Sequence, residues 1–449
     1  MLDPIIEKRL AQLEQRIAEL QKENAELKHI VGEQQKMLAL LLSPHIPSSK
    51  RILKEAKKEE TPPMKKGAPE GHKGATRIRP KPDQTIFLNP VSCPNKKCKS
   101  KKISVLKKHK KTVEDIKIVK TATRFYYFVC TCNDCGKEFT TASKDLPRQG
   151  NFGPNIISAW STLHYIGTIP FDRLSKISEN LFGVNITPAG VHNAIYKTSG
   201  IFEKEFQEIK TNITKSNYVR SDETGYSVNG KNWFLWNLSS LEDVLVLIRP
   251  SRGSKVLKEV FGDFLDAILN SDCFSSYSKF KAREYQKCWA HILDDAEDLA
   301  KNSYEGIELD KILSRMFAYI KKIKEEGSEN SPKVKKWIKT SVKKIDFLAK
   351  KKLNSKAVAN LILRLEKYKE QWFTCLKYPY VEPTNNASEQ YIRKNVLARK
   401  ISGLHRSPLG IHSREIMMSK ILTCQTRKEN PYETLRTGIE NYNLGHTTN

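Results

Sequence analysis

The chain has 449 residues, with 78 Lys and Arg against 50 Asp and Glu, a net charge of +28. That balance predicts a polyanionic partner, nucleic acid ahead of an anionic membrane surface, and the length allows two to four domains. No apolar run approaches the ~20 residues that span a bilayer, and MLDPIIEKRL lacks a secretory h-region. Nine Cys, an odd number, argue against a disulfide framework. A cytoplasmic, nucleoid-associated protein with no membrane partner is expected.

Residues 5–42 read as a coiled coil. Leu10, Ile17, Asn24, Val31 and Leu38 recur every seven residues, as do Leu13, Leu20, Leu27, Gln34 and Leu41. Such a seam drives helices together, and Asn24 at a seam position favours an in-register parallel dimer. One amphipathic helix packed on its own domain is the other reading. Residues 43–84 are a basic linker rich in Pro, Gly and Lys, expected to stay extended.

Residues 85–143 read as a small β module, a zinc-ribbon-like unit. Cys93 and Cys98 stand in CPNKKC, Cys132 and Cys135 in CTCNDCGKEF, with the β-forming TVEDIKIVKTATRFYYFVC between them. Two Cys pairs brought together by strands make a closed, structural Zn²⁺ site; plain buried thiols are the alternative. Gly136 suits the turn at the second pair, and Cys130 is assigned to the strand.

Residues 150–212 are helical. GPNIISAWSTLHYIGT and PFDRLSKISENLFG precede GVNITPAGVHNAIYKTSGIF, where Thr187 is a good N-cap and Pro188 fits the first helical position. Helix, short turn and capped helix fit a helix-turn-helix, with His192, Asn193 and Lys197 as candidate DNA contacts. A plain three-helix packing unit would look similar.

Residues 216–297 turn to strand periodicity: SNYVRSDETGYSV, NWFLWNLSS and DVLVLIRP, then the helical SRGSKVLKEVFGDF and a fourth strand, DAILNSDCF. Three antiparallel strands, a helix and a parallel strand begin an RNase H-like fold. Asp222 and Asp272 each close a strand in this reading. Residues 298–380 are lysine-rich and helical, an α-helical insertion, after which 381–425 resume the core and 426–449 form a tail. Glu389 opens the helix NNASEQYIRKNVLARKIS. The fold class expected is thus multidomain: an N-terminal coiled coil, a zinc-ribbon-like module, a helix-turn-helix, and an α/β RNase H-like core with an α-helical insertion.

Carboxylates converging from two strands and a helix are what a divalent metal needs to cut or join a phosphodiester. Two ions about 4 Å apart deprotonate the nucleophile and stabilise the leaving oxygen. Mg²⁺, or Mn²⁺ in its place, prefers few carboxylates and keeps several waters. Asp222 would bridge both ions, with Asp272 and Glu389 each completing one site. Arg393 and Lys400 fall on the face of Glu389, where they hold phosphates or simply pair with acids. His291 either sits near the scissile phosphate or packs under Trp289.

The strings SDETGYSVNGKNWFLW, LNSDCFSSY, KCWAHILDD, PTNNASEQYIRKNVLARKISG and PEGHKGATR resemble the insertion-sequence-sixty-six family of transposases, a branch of the DDE transposases. The resemblance covers nearly the whole chain. It implies that Asp222, Asp272 and Glu389 are the catalytic acids of Mg²⁺-dependent strand cleavage and transfer at the inverted-repeat ends of a mobile element. Tyr226 stands where the family usually has Trp, Asp294 where it often has Arg, and the first Cys pair is wider than usual. The expected partners are double-stranded DNA, both transposon ends and target, and further copies of the chain in a homodimer or higher synaptic assembly. A non-catalytic DNA-binding regulator and a metal-dependent nuclease or resolvase on the same fold are the alternatives.

Overall fold

The computed structural model describes residues 81–89, 91–402 and 407–445, together with Arg16, Ile17, Glu19, Leu20, Glu23 and Val31. The zipper expected at 5–42 and the linker at 43–84 therefore lie almost wholly outside the described residues. Of the seam positions, Ile17, Leu20 and Val31 are described; they are helical and about half exposed. The chain divides into two compact units, Met1–Val113 and Glu114–Asn449, so the unit boundary falls inside the module expected at 85–143.

In the first unit the CPNKKC segment is turned on itself. The Cys93 N–H donates to the Ser100 carbonyl at 2.8 Å and the Cys98 N–H to that of Asn95 at 3.0 Å. In the second unit β1 (Val129–Thr131) and β2 (Glu138–Thr140) form a short antiparallel hairpin around the other Cys pair. Cys130 lies in β1, opposite Phe139. The β-rich run before it forms no ladder between 114 and 128. Ile116, Val119, Tyr126 and Tyr127 stay exposed: β propensity is realised only against a partner strand and a face to cover.

Four helices follow: α1 (Pro154–Tyr165), α2 (Phe171–Phe182), α3 (Pro188–Ser199) and α4 (Glu203–Lys215). Helix α2 ends on Gly183 at φ +64°, a left-handed cap open to glycine without strain. Helix α3 begins as the sequence implies, with the Thr187 side chain accepting from the Gly190 N–H and Pro188 in the first turn. Trp160, Leu174, Val191 and Ile195 bury the faces these helices share.

The sheet has five strands: β3 (Tyr218–Val228), β4 (Lys231–Ser239), β5 (Val244–Arg249), β6 (Phe264–Ser271) and β7 (Lys281–Lys287), in the order β5-β4-β3-β6-β7. β3 to β5 are antiparallel neighbours; β6 and β7 join parallel to β3 and β6. Helix α5 (Lys255–Phe261) makes the crossover from β5 to β6. Three antiparallel strands, a helix and a parallel strand were anticipated; β7 was not. It reads KAREYQK, polar at nearly every position, because it buries Gln286 and Lys287 through hydrogen bonds.

Beyond β7 come α6 (Trp289–Ala300), α7 (Tyr304–Glu326), α8 (Pro332–Lys350) and α9 (Lys356–Lys367). They build a second core around Trp289, Leu313, Ile320, Trp372 and Phe373, which also takes in Tyr218 and Ile268 from the sheet. The helical insertion thus starts at Trp289, before the boundary expected at 298. The chain returns in α10 (Asn386–Ser402), α11 (Pro408–Thr426) and α12 (Pro431–Leu444). Residues 426–449 were expected to be a tail; α12 packs against α1 instead, with Leu435 and Ile439 buried.

Helix α11 is buried on nearly every side, polar residues included. It closes the β5 edge of the sheet. The outward N–H groups of Val244, Val246 and Ile248 donate to Thr423 Oγ1 at 3.0 Å, Ser419 Oγ at 2.9 Å and Glu415 Oε1 at 2.6 Å. An open strand edge invites pairing with other chains; here the helix side chains take its donors. Among the described residues, no helix is long and apolar enough to cross a membrane.

Candidate active site

Asp222 is the fifth residue of the eleven-residue β3, and so lies inside the strand rather than at the end expected for it. The strand runs on through Tyr226 and Val228, both buried, to a two-residue turn. Asn229 and Gly230, with φ of +47° and +75°, supply that turn. The polar DETG hid this continuation. Adjacent strand residues face opposite ways, so Asp222 and Glu223 look to different sides of β3. Glu223 is tied down: Arg252 Nε donates to it at 2.9 Å, and so does the buried Tyr277 hydroxyl. The Arg252 guanidinium lies 4.0 Å from the Phe274 ring.

Asp272 follows the last residue of β6. Parallel pairing sets Arg220 beside Asn270; two residues further along the same register are Asp222 and Asp272. The sequence separation of the two acids, 272 − 222 = 50, equals the register offset, 270 − 220 = 50. The Asp272 carboxylate accepts from the Phe274 N–H at 2.9 Å, and its carbonyl accepts from Lys287 Nζ at 2.7 Å.

Crowding of acids has an electrostatic cost. Burial, followed by the charges of Glu223 and Asp272, pushes Asp222 up to about 7. Relative to 3.8, that is a destabilisation of roughly 4 kcal/mol for the ionised form. Burial also raises Glu223, despite Tyr277 and Arg252. Opposite Asp222 in the ladder is Asn237, fully buried, and neither its amide N nor its O meets a hydrogen-bond partner. Cross-strand partners share a face, so the unpaired amide lies on the side of Asp222.

Glu389 arrives in the first turn of α10. The approach to that helix is laced to the sheet. Asn270 donates to the carbonyls of Glu382 and Thr384 at 3.0 and 3.1 Å, and Asn385 Nδ2 to that of Ser221 at 2.9 Å. Ser388 Oγ meets Ser239 Oγ at 3.4 Å. The Glu389 carboxylate then lies 3.8 Å from His291 Nδ1 and 3.8 Å from Arg393. The neighbouring Cys288 side chain, ahead of Glu389 and Asp272, raises His291 to about 9. Trp289 is engaged by Phe317, Trp372 and Phe373, while His291 faces Glu389.

Asp222, Asp272 and His291 therefore lie within electrostatic reach of one another, and Glu389 within reach of His291. Five residues there escaped the sequence reading: Glu223, Arg252, Tyr277, Lys287 and Cys288. Glu223, Tyr277, Lys287 and Cys288 stand inside strings already singled out. Arg252 becomes visible only through its contact with Glu223. Arg393 and Lys400 are exposed on α10, as are His192, Asn193 and Lys197 on α3. Cys93 and Cys98 lie in the first unit, Cys132 and Cys135 in the second. Backbone N–H groups of Cys135 and Asp134 hold the Cys132 thiol below its usual range, and Gly136 at φ +71° closes that turn.

No curated protein matches the chain. The family model described as "Transposase IS66 family" matches residues 149–413, a stretch that contains Asp222, Asp272 and Glu389. With more than half of its length matched, the protein belongs to the Transposase IS66 family.

Proposed function

We propose that the protein binds the inverted-repeat ends of a mobile element and cleaves and transfers DNA strands with divalent metal ions, Mg²⁺ or Mn²⁺, held by Asp222, Asp272 and Glu389. The carrying observation is the partly buried pair Asp222–Asp272: burial, followed by the charges of Glu223 and Asp272, leaves Asp222 raised to about 7. Hard oxygen donors crowded so closely that burial and repulsion outweigh the charge of His291 fit such an ion, and the unpaired Asn237 amide is suited to a metal-bound water. When bound, two ions would activate the attacking oxygen and stabilise the leaving one. The chain's own part is positioning. Lys287 and the Phe274 N–H fix the Asp272 backbone and carboxylate, and Arg252 with Tyr277 keep Glu223 aside. His291, cationic at neutral pH, faces the acids where a phosphate would lie.

DNA contacts are assigned to His192, Asn193 and Lys197 on α3 and to Arg393 and Lys400 on α10. The zipper would pair two chains, raising the effective concentration of the second transposon end. A structural Zn²⁺ is assigned to Cys93, Cys98, Cys132 and Cys135; metal analysis should find about one zinc per chain, lost in the Cys132→Ser/Cys135→Ser variant.

The decisive assay is strand transfer with precut ends in Mg²⁺. Wild type should give joined products and Asp222→Asn none. Equal product from both, or none from wild type with its own ends, removes the transposase reading; nicks without joining would favour a nuclease.

A further inference from the structure

The Cys288 Sγ, a His291 ring nitrogen and a Glu389 carboxylate oxygen all lie within 4.8 Å of one another. Sulfur and imidazole add nothing to a hard cation's site, yet here they flank the acid assigned to one. The three come from two helix starts. Cys288 is the N-cap of α6 and His291 is three residues on, hence on the same face. Glu389 stands in the first turn of α10.

Two further observations mark the place as built for a ligand. His291 Nδ1 is shielded from solvent and meets no hydrogen-bond partner, although the ring itself is partly exposed. The Cys288 sulfur accepts the Asn385 N–H at 3.1 Å, the kind of outer contact that steadies a metal-bound thiolate.

We propose that Cys288, His291 and Glu389 form a site for a thiophilic divalent metal of the zinc type, which occupies the Glu389 carboxylate and so holds the enzyme off. The proposal rests on the reading of Glu389 as the third acid of the phosphoryl-transfer site. Sulfur, nitrogen and oxygen ligands suit Zn²⁺ or Co²⁺ and not Mg²⁺. Bond lengths of about 2.0 to 2.3 Å put tetrahedral ligand atoms roughly 3.5 Å apart, so the 3.8 Å between His291 and Glu389 needs only a slight closure. The fourth position is left for water. On binding, the Cys288 thiol proton and any proton on His291 pass to solvent, and no electron is exchanged.

The test uses the full chain and Co²⁺ alone, read by absorption, so it does not depend on transposition. The wild-type minus Cys288→Ala difference spectrum should contain a thiolate-to-cobalt charge-transfer band. His291→Ala and Glu389→Gln should bind that cobalt at least tenfold more weakly while keeping the rest of the cobalt spectrum, including any from the other Cys pairs. Excess Mg²⁺ should weaken it too, since Glu389 is shared. Identical cobalt isotherms in wild type and His291→Ala, with circular dichroism retained, would overturn the proposal, even if Cys288→Ala failed to fold. With the band present, Zn²⁺ should suppress strand transfer in Mg²⁺ and a chelator should restore it; a band without suppression would overturn the regulatory role.

Discussion

The β5 edge and the middle of the same sheet each bury a carboxylate, and the two meet opposite surroundings. Glu415 is 3% exposed, but Arg249 lies 2.6 Å from its carboxylate and the Ile248 N–H donates to it. Burial raises Glu415, and Arg249 and the Ile248 amide pull it back. Asp222 has the Glu223 N–H at 3.0 Å, and its largest charged neighbours are two more acids. The first arrangement closes a sheet edge. The second has no structural use that would offset its cost, and perturbed acids of that kind mark functional sites.

Substitution separates the two. Asp222→Asn should lower strand transfer by about 10³-fold or more, the scale seen when a group central to the chemistry is removed, while raising the melting point of metal-free protein. Glu415→Ala should do the reverse. It strands the Ile248 N–H and leaves Arg249 with Glu259 alone, a loss of about 1.5–3 kcal/mol, readable from the denaturant midpoint. If both variants destabilised alike, the contrast between the acids would collapse.

The pH dependence sharpens the contrast. The folded-state value of Asp222 is raised from 3.8 to about 7. Its stabilising contribution is therefore complete below 3.8 and is lost as pH climbs through about 7. In a chelator, the melting point of wild type should drop across that window more steeply than that of Asp222→Asn, and Mg²⁺ should flatten the difference. Parallel curves would mean that Asp222 does not carry the strain. The smallest effect is expected at Ser419→Ala, which leaves one buried donor, the Val246 N–H, without its acceptor. A loss of about 1–3 kcal/mol, with strand transfer per folded molecule unchanged, is the expected result.

Much of the catalytic half was legible because its signals are local. β3 to β6 are apolar runs with turn residues between them, and the Thr187–Pro188 start of α3 is a local capping pattern. Asp222 and Asp272 could be chosen since each borders such a run. What was hidden depends on partners remote in sequence. KAREYQK gives no strand signal, because Gln286 and Lys287 are made acceptable by Ser271, Trp372 and Cys375. Helix α11 shows no apolar stripe, because its Glu, Ser and Thr serve the edge of β5. Glu389 was placed on the right kind of element, but its neighbours His291 and Cys288 come from a segment about 100 residues earlier, and no spacing rule links them.

The contact between α11 and β5 also works as a vernier. Four residues of helix advance about 6.0 Å and two residues of strand about 6.6 Å, so 415, 419 and 423 can track 248, 246 and 244 with a slip of about 0.6 Å per step. Two steps keep all three hydrogen bonds within reach. A longer run would drift out of phase, which gives a geometric reason for β5 to stop at six residues.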